Sequence, residues 1–198
     1  LGLGCLEFIQ GHHQAALDYH NRAQELALES DDPLLFSEAQ LRMAGDWIKM
    51  GQCEPALLLL KEALVQIKAA KHYPQEATVY GLIGEIHYLN GEIEKAHANL
   101  MLALKLNRLH DRAFAEISNL RLLGFCDLQR QEIDGAFDFL NTAHALASNC
   151  GSQYLLAQTE QALAMLCSAT GQNEAAAQHQ LAYQRLRDGI HASLDSTQ

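Results

Sequence analysis

Histidine and cysteine are the residue types here with the most chemical potential. Ten histidines stand at His12, His13, His20, His72, His87, His97, His110, His144, His179 and His191. A metal held from one helix needs two ligands three or four residues apart. No two of these histidines have that spacing. The five cysteines are Cys5, Cys53, Cys126, Cys150 and Cys167, with no CxxC pair. A nucleophilic thiol needs a base that holds it as thiolate. Nothing in the order of residues sets a histidine beside any cysteine. An odd number of unpaired cysteines reads instead as free, mostly buried thiols in a reducing compartment. Gly-rich phosphate loops, GxSxG and HExxH are not found in the sequence. The chain is therefore read as a non-enzyme, with no cofactor, no catalytic residue and no metal.

The elements that would position any site are set by small residues at a fixed period. In steps of forty stand Gly11, Gly51, Gly91, Gln131 and Gly171. Five residues after each come Ala16, Ala56, Ala96, Ala136 and Ala176. Seven further on come Ala23, Ala63, Ala103, Ala143 and Tyr183, and seven before each turn come Gly4, Ala44, Gly84, Gly124 and Ala164. Eighteen of these twenty positions are Gly or Ala. A period of about 20–50 residues marks a solenoid. Small side chains let helix backbones approach, and glycine closes a helix in the left-handed conformation without a Cβ penalty. The segment Gly84–Ala103, GEIHYLNGEIEKAHANLMLA, is the best-formed copy.

The seven–five–seven spacing at Gly84, Gly91, Ala96 and Ala103 resembles the tetratricopeptide (TPR) repeat, in a long variant of forty residues. The family period is about 34. The six extra residues fall between the last Ala of one unit and the small residue of the next, where they should lengthen helix ends and the connection between units. The resemblance implies an all-α fold, a right-handed α-α superhelix of about five helical pairs. The units are placed at about 1–31, 32–72, 73–109, 110–150 and 151–191, with 192–198 a frayed tail. The whole reads as one array cut from a longer chain.

The expected helices run from Leu1 to Gln10, His13 to Glu29, Pro33 to Met50, Glu54 to Lys71, Pro74 to Asn90 and Glu92 to Asn107. Then come Asp111 to Gln129, a helix after the QRQEID turn, Ser152 to Thr170 and Glu174 to Ile190. Asp32 and Asp111 are expected as N-caps, and Pro33 and Pro74 as first-turn residues. Gln131 takes a place glycine holds elsewhere, so that turn is expected to differ. Gly135 is expected to add flexibility. His20 aligns with Leu60, Leu100 and Leu140, and His97 with Leu57 and Phe137. Both are read as packing residues, as are Trp47 and Tyr80. The last helix carries Gln178, Gln180, Gln184, Arg185 and Arg187, the polar outer face of a terminal unit.

In the family that this chain resembles, the first helix of each pair lines the concave face. The resemblance therefore implies a partner-binding groove of Glu38, Leu41, Arg42 and Ile48 from the second unit, and Thr78, Leu82, Glu85 and Tyr88 from the third. The fourth unit gives Ser118, Arg121, Leu122, Phe125 and Leu128. The fifth gives Gln158, Gln161 and Met165. Gly45 and Gly81 lie between them, and Cys5 is the cysteine placed nearest this surface. Such a groove suits an amphipathic helix or an extended peptide. Chaperone-binding members of the family clamp a peptide carboxylate with Lys, Arg and Asn. Here only Arg42 and Arg121 are basic at those places, so that clamp is not expected.

Composition bounds the partners. With 48% hydrophobic residues the chain can bury a sizeable core. A net charge of −10 argues against nucleic acid, which wants clustered Lys and Arg. No apolar run reaches the ~18 residues of a membrane span. The expected partner is a protein or peptide, not nucleic acid or membrane, in the cytoplasm. The leading reading is an interaction scaffold without catalysis of its own. A second is a regulatory or sensor segment of a bacterial signalling protein, attached to an output domain such as a transcription activator or a cyclase. A third is self-association, as a homodimer, through apolar surface at Leu1, Leu3, Leu6, Phe8 and Ile9.

Overall fold

The structure is a computed structural model that describes residues 1–195, with side chains through residue 192. Ten helices follow one another: α1 (Gly2–Ile9), α2 (His13–Glu29), α3 (Pro33–Lys49), α4 (Cys53–Ala69), α5 (Tyr73–Leu89), α6 (Ile93–Leu109), α7 (Ala113–Gln129), α8 (Ile133–Asn149), α9 (Gln153–Ala169) and α10 (Asn173–Asp195). There is no strand among the described residues. The all-α solenoid of paired helices is as the spacing predicts. The last helix continues past Ile190 to Asp195, so the tail is helical over 191–195. Residues 196–198, the rest of the expected frayed tail, lie outside the described residues.

The helices keep a beat of twenty residues. Each of α2 to α9 is 17 residues long, and each starts twenty after the one before. Between them sits a residue with positive φ: Gly11, Asp31, Gly51, Lys71, Gly91, Asp111, Gln131, Gly151 and Gly171. At Gly91 the amide donates to Tyr88 O at 3.0 Å, and the next amide, Glu92 N, donates to His87 O at 2.9 Å. That pair of bonds satisfies carbonyls the helix end would leave without donors. The same pair closes the turns at Gly51, Lys71 and Gly171.

Three expectations need correction here. The connections between pairs are no longer than the turns within pairs, so the six added residues all lengthen helices. Gln131 does not alter its turn: its φ is 62°, and its amide and that of Glu132 make the same two bonds, at 3.1 and 2.8 Å. Asp111 is not a cap. It is the left-handed turn residue, φ 52°, while Arg112 holds the N-cap position. Asp32 does cap α3, accepting from Leu34 N and Leu35 N at 3.1 and 2.9 Å.

The small residues mark where helices within a pair cross. A Cβ at Gly84 would stand 2.7 Å from Leu100 Cγ and 3.3 Å from the Ala96 carbonyl. At Gly124 it would meet Leu140 Cγ at 2.7 Å and the Ala136 carbonyl at 3.2 Å. The neighbouring leucine is fully buried in both pairs. Gly135 has a different reason for being glycine than flexibility. A Cβ there would stand 2.6 Å from Asp127 Oδ2, so the bare backbone makes room for a buried carboxylate.

A left-handed conformation strains a residue that carries a Cβ, while glycine loses more freedom on folding. Gln131→Gly should relieve the larger of these and stabilise the chain by about 0.5–1 kcal/mol. The urea midpoint checks this. A lower midpoint would mean that the Gln131 side chain contributes more than its strain costs.

Candidate functional site

Two layers run along the array. Successive odd-numbered helices touch each other, α3 on α5, α5 on α7 and α7 on α9, while among the described residues successive even-numbered helices make no comparable contact. A stack whose one side is closer together than the other curves toward the closer side. The odd helices therefore form the inner layer.

The structure divides the expected groove residues among three environments. Leu41 and Ile48 are buried in a core cluster with Leu60, Ile67, Ile83 and Ile86. Their side chains point between helices and are not surface available to a partner, which corrects their place in the groove. Leu82 packs partly buried against that cluster, Tyr88 and Leu122 against a second, and Phe125 and Leu128 against a third. Tyr88 and Phe125 face one another across α5 and α7, ring centres 6.3 Å apart. Met165 on α9 is 54% exposed, and Gln161 is exposed as well. Thr78 and Ser118 are partly buried and turn their hydroxyls back to Pro74 O and Phe114 O, each at 3.3 Å.

The charged groove residues are partnered within the chain. Arg42 donates through Nε and Nη2 to Glu38 Oε1 at 2.9 and 2.8 Å. Lys49 Nζ donates to Glu85 Oε1 at 2.6 Å. Arg121 Nη1 donates to Gln158 Oε1 at 2.7 Å. Burial lowers the Arg121 pKa, and nearby Glu85 and Tyr154 oppose that shift. Lys49 was missed in the sequence because it ends α3, one residue past Ile48, and reaches forward to the next pair. What remains along the inner layer is an apolar strip edged by charged side chains that are hydrogen-bonded within the chain.

Six of the ten histidines lie against carboxylates. His20 Nδ1 lies 2.6 Å from Asp46 Oδ2, both fully buried. His144 Nε2 and His179 Nδ1 lie 2.8 and 2.7 Å from the two oxygens of Glu160, joining α8 and α10 to α9. His97 stands 3.4 Å from Asp127 and edge-on to Phe139. Among the described residues no three His, Cys, Asp or Glu side chains form a metal-holding group. His20 is buried at the leucine position, as the alignment predicts. Its partner Asp46 stands where Ile86, Cys126 and Leu166 stand in later units. Trp47 packs against the first core cluster, and Lys68 lies over the Tyr80 ring at 5.5 Å. The Cys126 thiol is buried, and burial pushes its pKa up to about 11.

No family model and no curated protein matches this sequence. Solved structures do. A Rap protein complexed with Competence and Sporulation Factor is similar at a TM-score of 0.83, with 18% identity over 96% of this chain; the match spans 54% of that protein. BtubC (BKLC) from P. vanneervenii has a TM-score of 0.68 and 20% identity, over 96% of this chain and 78% of that one. A putative kinesin light chain from Podosopora anserina, described by its TPR-like repeats, has a TM-score of 0.62 and 14% identity, over 96% and 94%. The fold is that of a TPR-like helical solenoid.

Removing one partner of a buried ion pair leaves the other charge or dipole alone, whereas replacing both with apolar groups is often neutral or better. Asp46→Ile and His20→Leu should each cost about 3–5 kcal/mol singly, while the double variant should equal or exceed the parent. Urea unfolding of all four proteins decides it; additive losses would sink the idea. Thiol labelling gives a second test. A protonated buried thiol is a poor nucleophile, so at neutral pH Cys126 should react with a disulfide reagent only after denaturant is added. Rapid native labelling of Cys126, located by mass spectrometry, would contradict its burial.

Proposed function

We propose that this TPR-like solenoid is a protein-interaction scaffold that binds a peptide or helix along its inner layer. The observation that carries the reading is the strip of Leu82, Tyr88, Leu122, Phe125, Leu128 and Met165. These side chains are partly buried or exposed on helices that form the closer-packed layer. Aromatic and leucine side chains half-covered by their own chain keep apolar area that a partner can finish burying. The charges beside them, Glu38 with Arg42 and Lys49 with Glu85, are already paired. They favour orientation of a ligand over strong attraction. Binding on this reading is burial and shape, with no bond made or broken.

The regulatory reading also draws support. One structure of similar fold is a Rap protein in complex with Competence and Sporulation Factor, and this chain spans about half of it. A scaffold of this kind within a larger regulator would pass the presence of its ligand to whatever domain it adjoins. No helix among the described residues is long and apolar enough to cross a membrane.

Selection of a displayed peptide library on the intact chain tests the groove. Phe125→Glu and Leu82→Glu should each weaken the selected binders about tenfold or more, the effect of placing a charge against a buried apolar contact. Leu58→Glu on outer helix α4 should leave them unchanged, because Leu58 is already 62% exposed. Circular dichroism checks that each variant stays helical. Binders that tolerate both inner-layer changes would rule out the groove.

A further inference from the structure

The outer layer carries an apolar band in the middle of the array. On α2 and α8 the outward places are ordinary solvated ones, with Asp18 and Glu25 on the first and Asp138 and Ala145 on the second. In α4 the same two places hold Leu58 and Val65, 62% and 70% exposed. In α6 the apolar pair moves one turn along. Leu102 and Leu109, 40% and 71% exposed, stand where α2 has Arg22 and Glu29 and α8 has Thr142 and Asn149. Scattered exposed leucines are ordinary, whereas four gathered on two neighbouring helices mark a contact surface. The exposure does not come from an end of the array: α4 packs between α3 and α5, and α6 between α5 and α7.

Each apolar pair spans seven residues, two helical turns or about 10.5 Å. A lysine stands inside each pair, three residues after the first member and four before the second: Lys61 between Leu58 and Val65, Lys105 between Leu102 and Leu109. Those spacings put it on the same side of the helix as its apolar neighbours. Lys61 and Lys105 are exposed, and neither makes an ion pair among the described residues, while Lys49, Lys68 and Lys95 pair with Glu85, Glu76 and Glu92. Helices α4 and α6 together carry five Lys and Arg against three Glu, whereas α2 and α8 carry one Arg against five Asp and Glu. In a chain of net charge −10, the apolar band coincides with a local basic zone.

We propose that the outer faces of α4 and α6 form a docking surface for an acidic amphipathic helix of another protein. Apolar residues of that helix, spaced by seven, cover Leu58, Val65, Leu102 and Leu109. Its Asp or Glu side chains meet the uncommitted ammonium groups of Lys61 and Lys105. Opposite charges set the register and the choice of partner, and the leucines supply the burial. Glu54, Glu62 and Glu94 stand on the same two helices, and the whole chain is acidic. Both disfavour an anionic lipid surface as the occupant. This surface is separate from the inner layer and stands whether or not the groove reading does.

Two synthetic peptides are the probes. Both repeat the heptad Leu-X-Ala-Ala-Leu-X-X, with X glutamate in one and lysine in the other. Titrated as a fluorescent trace with the intact chain, the glutamate peptide should bind saturably and about tenfold or more tighter than its lysine twin. The net charge of −10 would by itself draw the lysine peptide, so this preference belongs to the local face. Leu58→Glu and Leu102→Glu should each weaken the glutamate peptide about tenfold or more, and Lys61→Glu with Lys105→Glu should reverse the preference. Circular dichroism checks that these exposed changes leave the chain folded. Leu82→Glu on the inner layer should leave the affinity unchanged. Absence of saturable binding, equal binding of the twins, or binding that survives the outer changes overturns the proposal. So does sedimentation with phosphatidylserine vesicles that Lys61→Glu and Lys105→Glu abolish, which would give the face to a membrane. A concentration-dependent dimer that Leu102→Glu dissolves would give it to a second copy and overturn the proposal too.

Discussion

Helices α1 to α9 each end at a left-handed residue, and the rest follows from that ending. A helix stops cheaply only if its last carbonyls find donors. At seven of the nine described turns a left-handed residue folds the chain back so that two amides reach them, and the turns recur every twenty residues. The fixed interval makes α2 to α9 equal in length. Equal lengths bring equivalent residues of successive units to equivalent heights. Only then can Leu100 meet Gly84 and Leu140 meet Gly124 at the same separation. The repeat is thus fixed by turn chemistry first and side-chain packing second.

That order explains what the sequence disclosed. The forty-residue period was legible because glycine holds four of the five turns within pairs and small residues mark the helix crossings. The twenty-residue beat was hidden because the turns between pairs use Asp31, Lys71, Asp111 and Gly151. Those residues share a conformation and almost no chemistry. Gln131 misled for the same reason: backbone hydrogen bonds outweighed its preference. Gly135 was read through its freedom when its use was space for Asp127. In the candidate groove, alignment put Leu41 and Ile48 on the open side of α3. Leu41 and Ile48 belong to the core, and half a turn of helix separates that outcome from exposure.

Units built alike are told apart by their exceptions. The His20–Asp46 pair sits where the other junctions carry Leu60 with Ile86, Leu100 with Cys126 and Leu140 with Leu166. A hydrogen-bonded pair in an apolar site accepts only its own complement, so it fixes which surface meets which. Glu160, held by His144 and His179, marks the last junction in a comparable way. The interior junctions carry more exposed pairs, Lys68 over Tyr80 between α4 and α5 and Arg108 with Glu116 between α6 and α7.

The contact between odd helices, with no counterpart among the even ones in the described residues, has a mechanical meaning. A row of plates joined along one edge is stiff against stretching at that edge and compliant at the other. The inner layer is the spine of such a row, and the outer helices are its free leaves. Bending the row changes the width of the inner channel before it disturbs any single pair. A molecule lying along the spine would act as a splint, holding one curvature out of the range the row can sample. Occupancy would then be felt at both ends of the array as a change of angle.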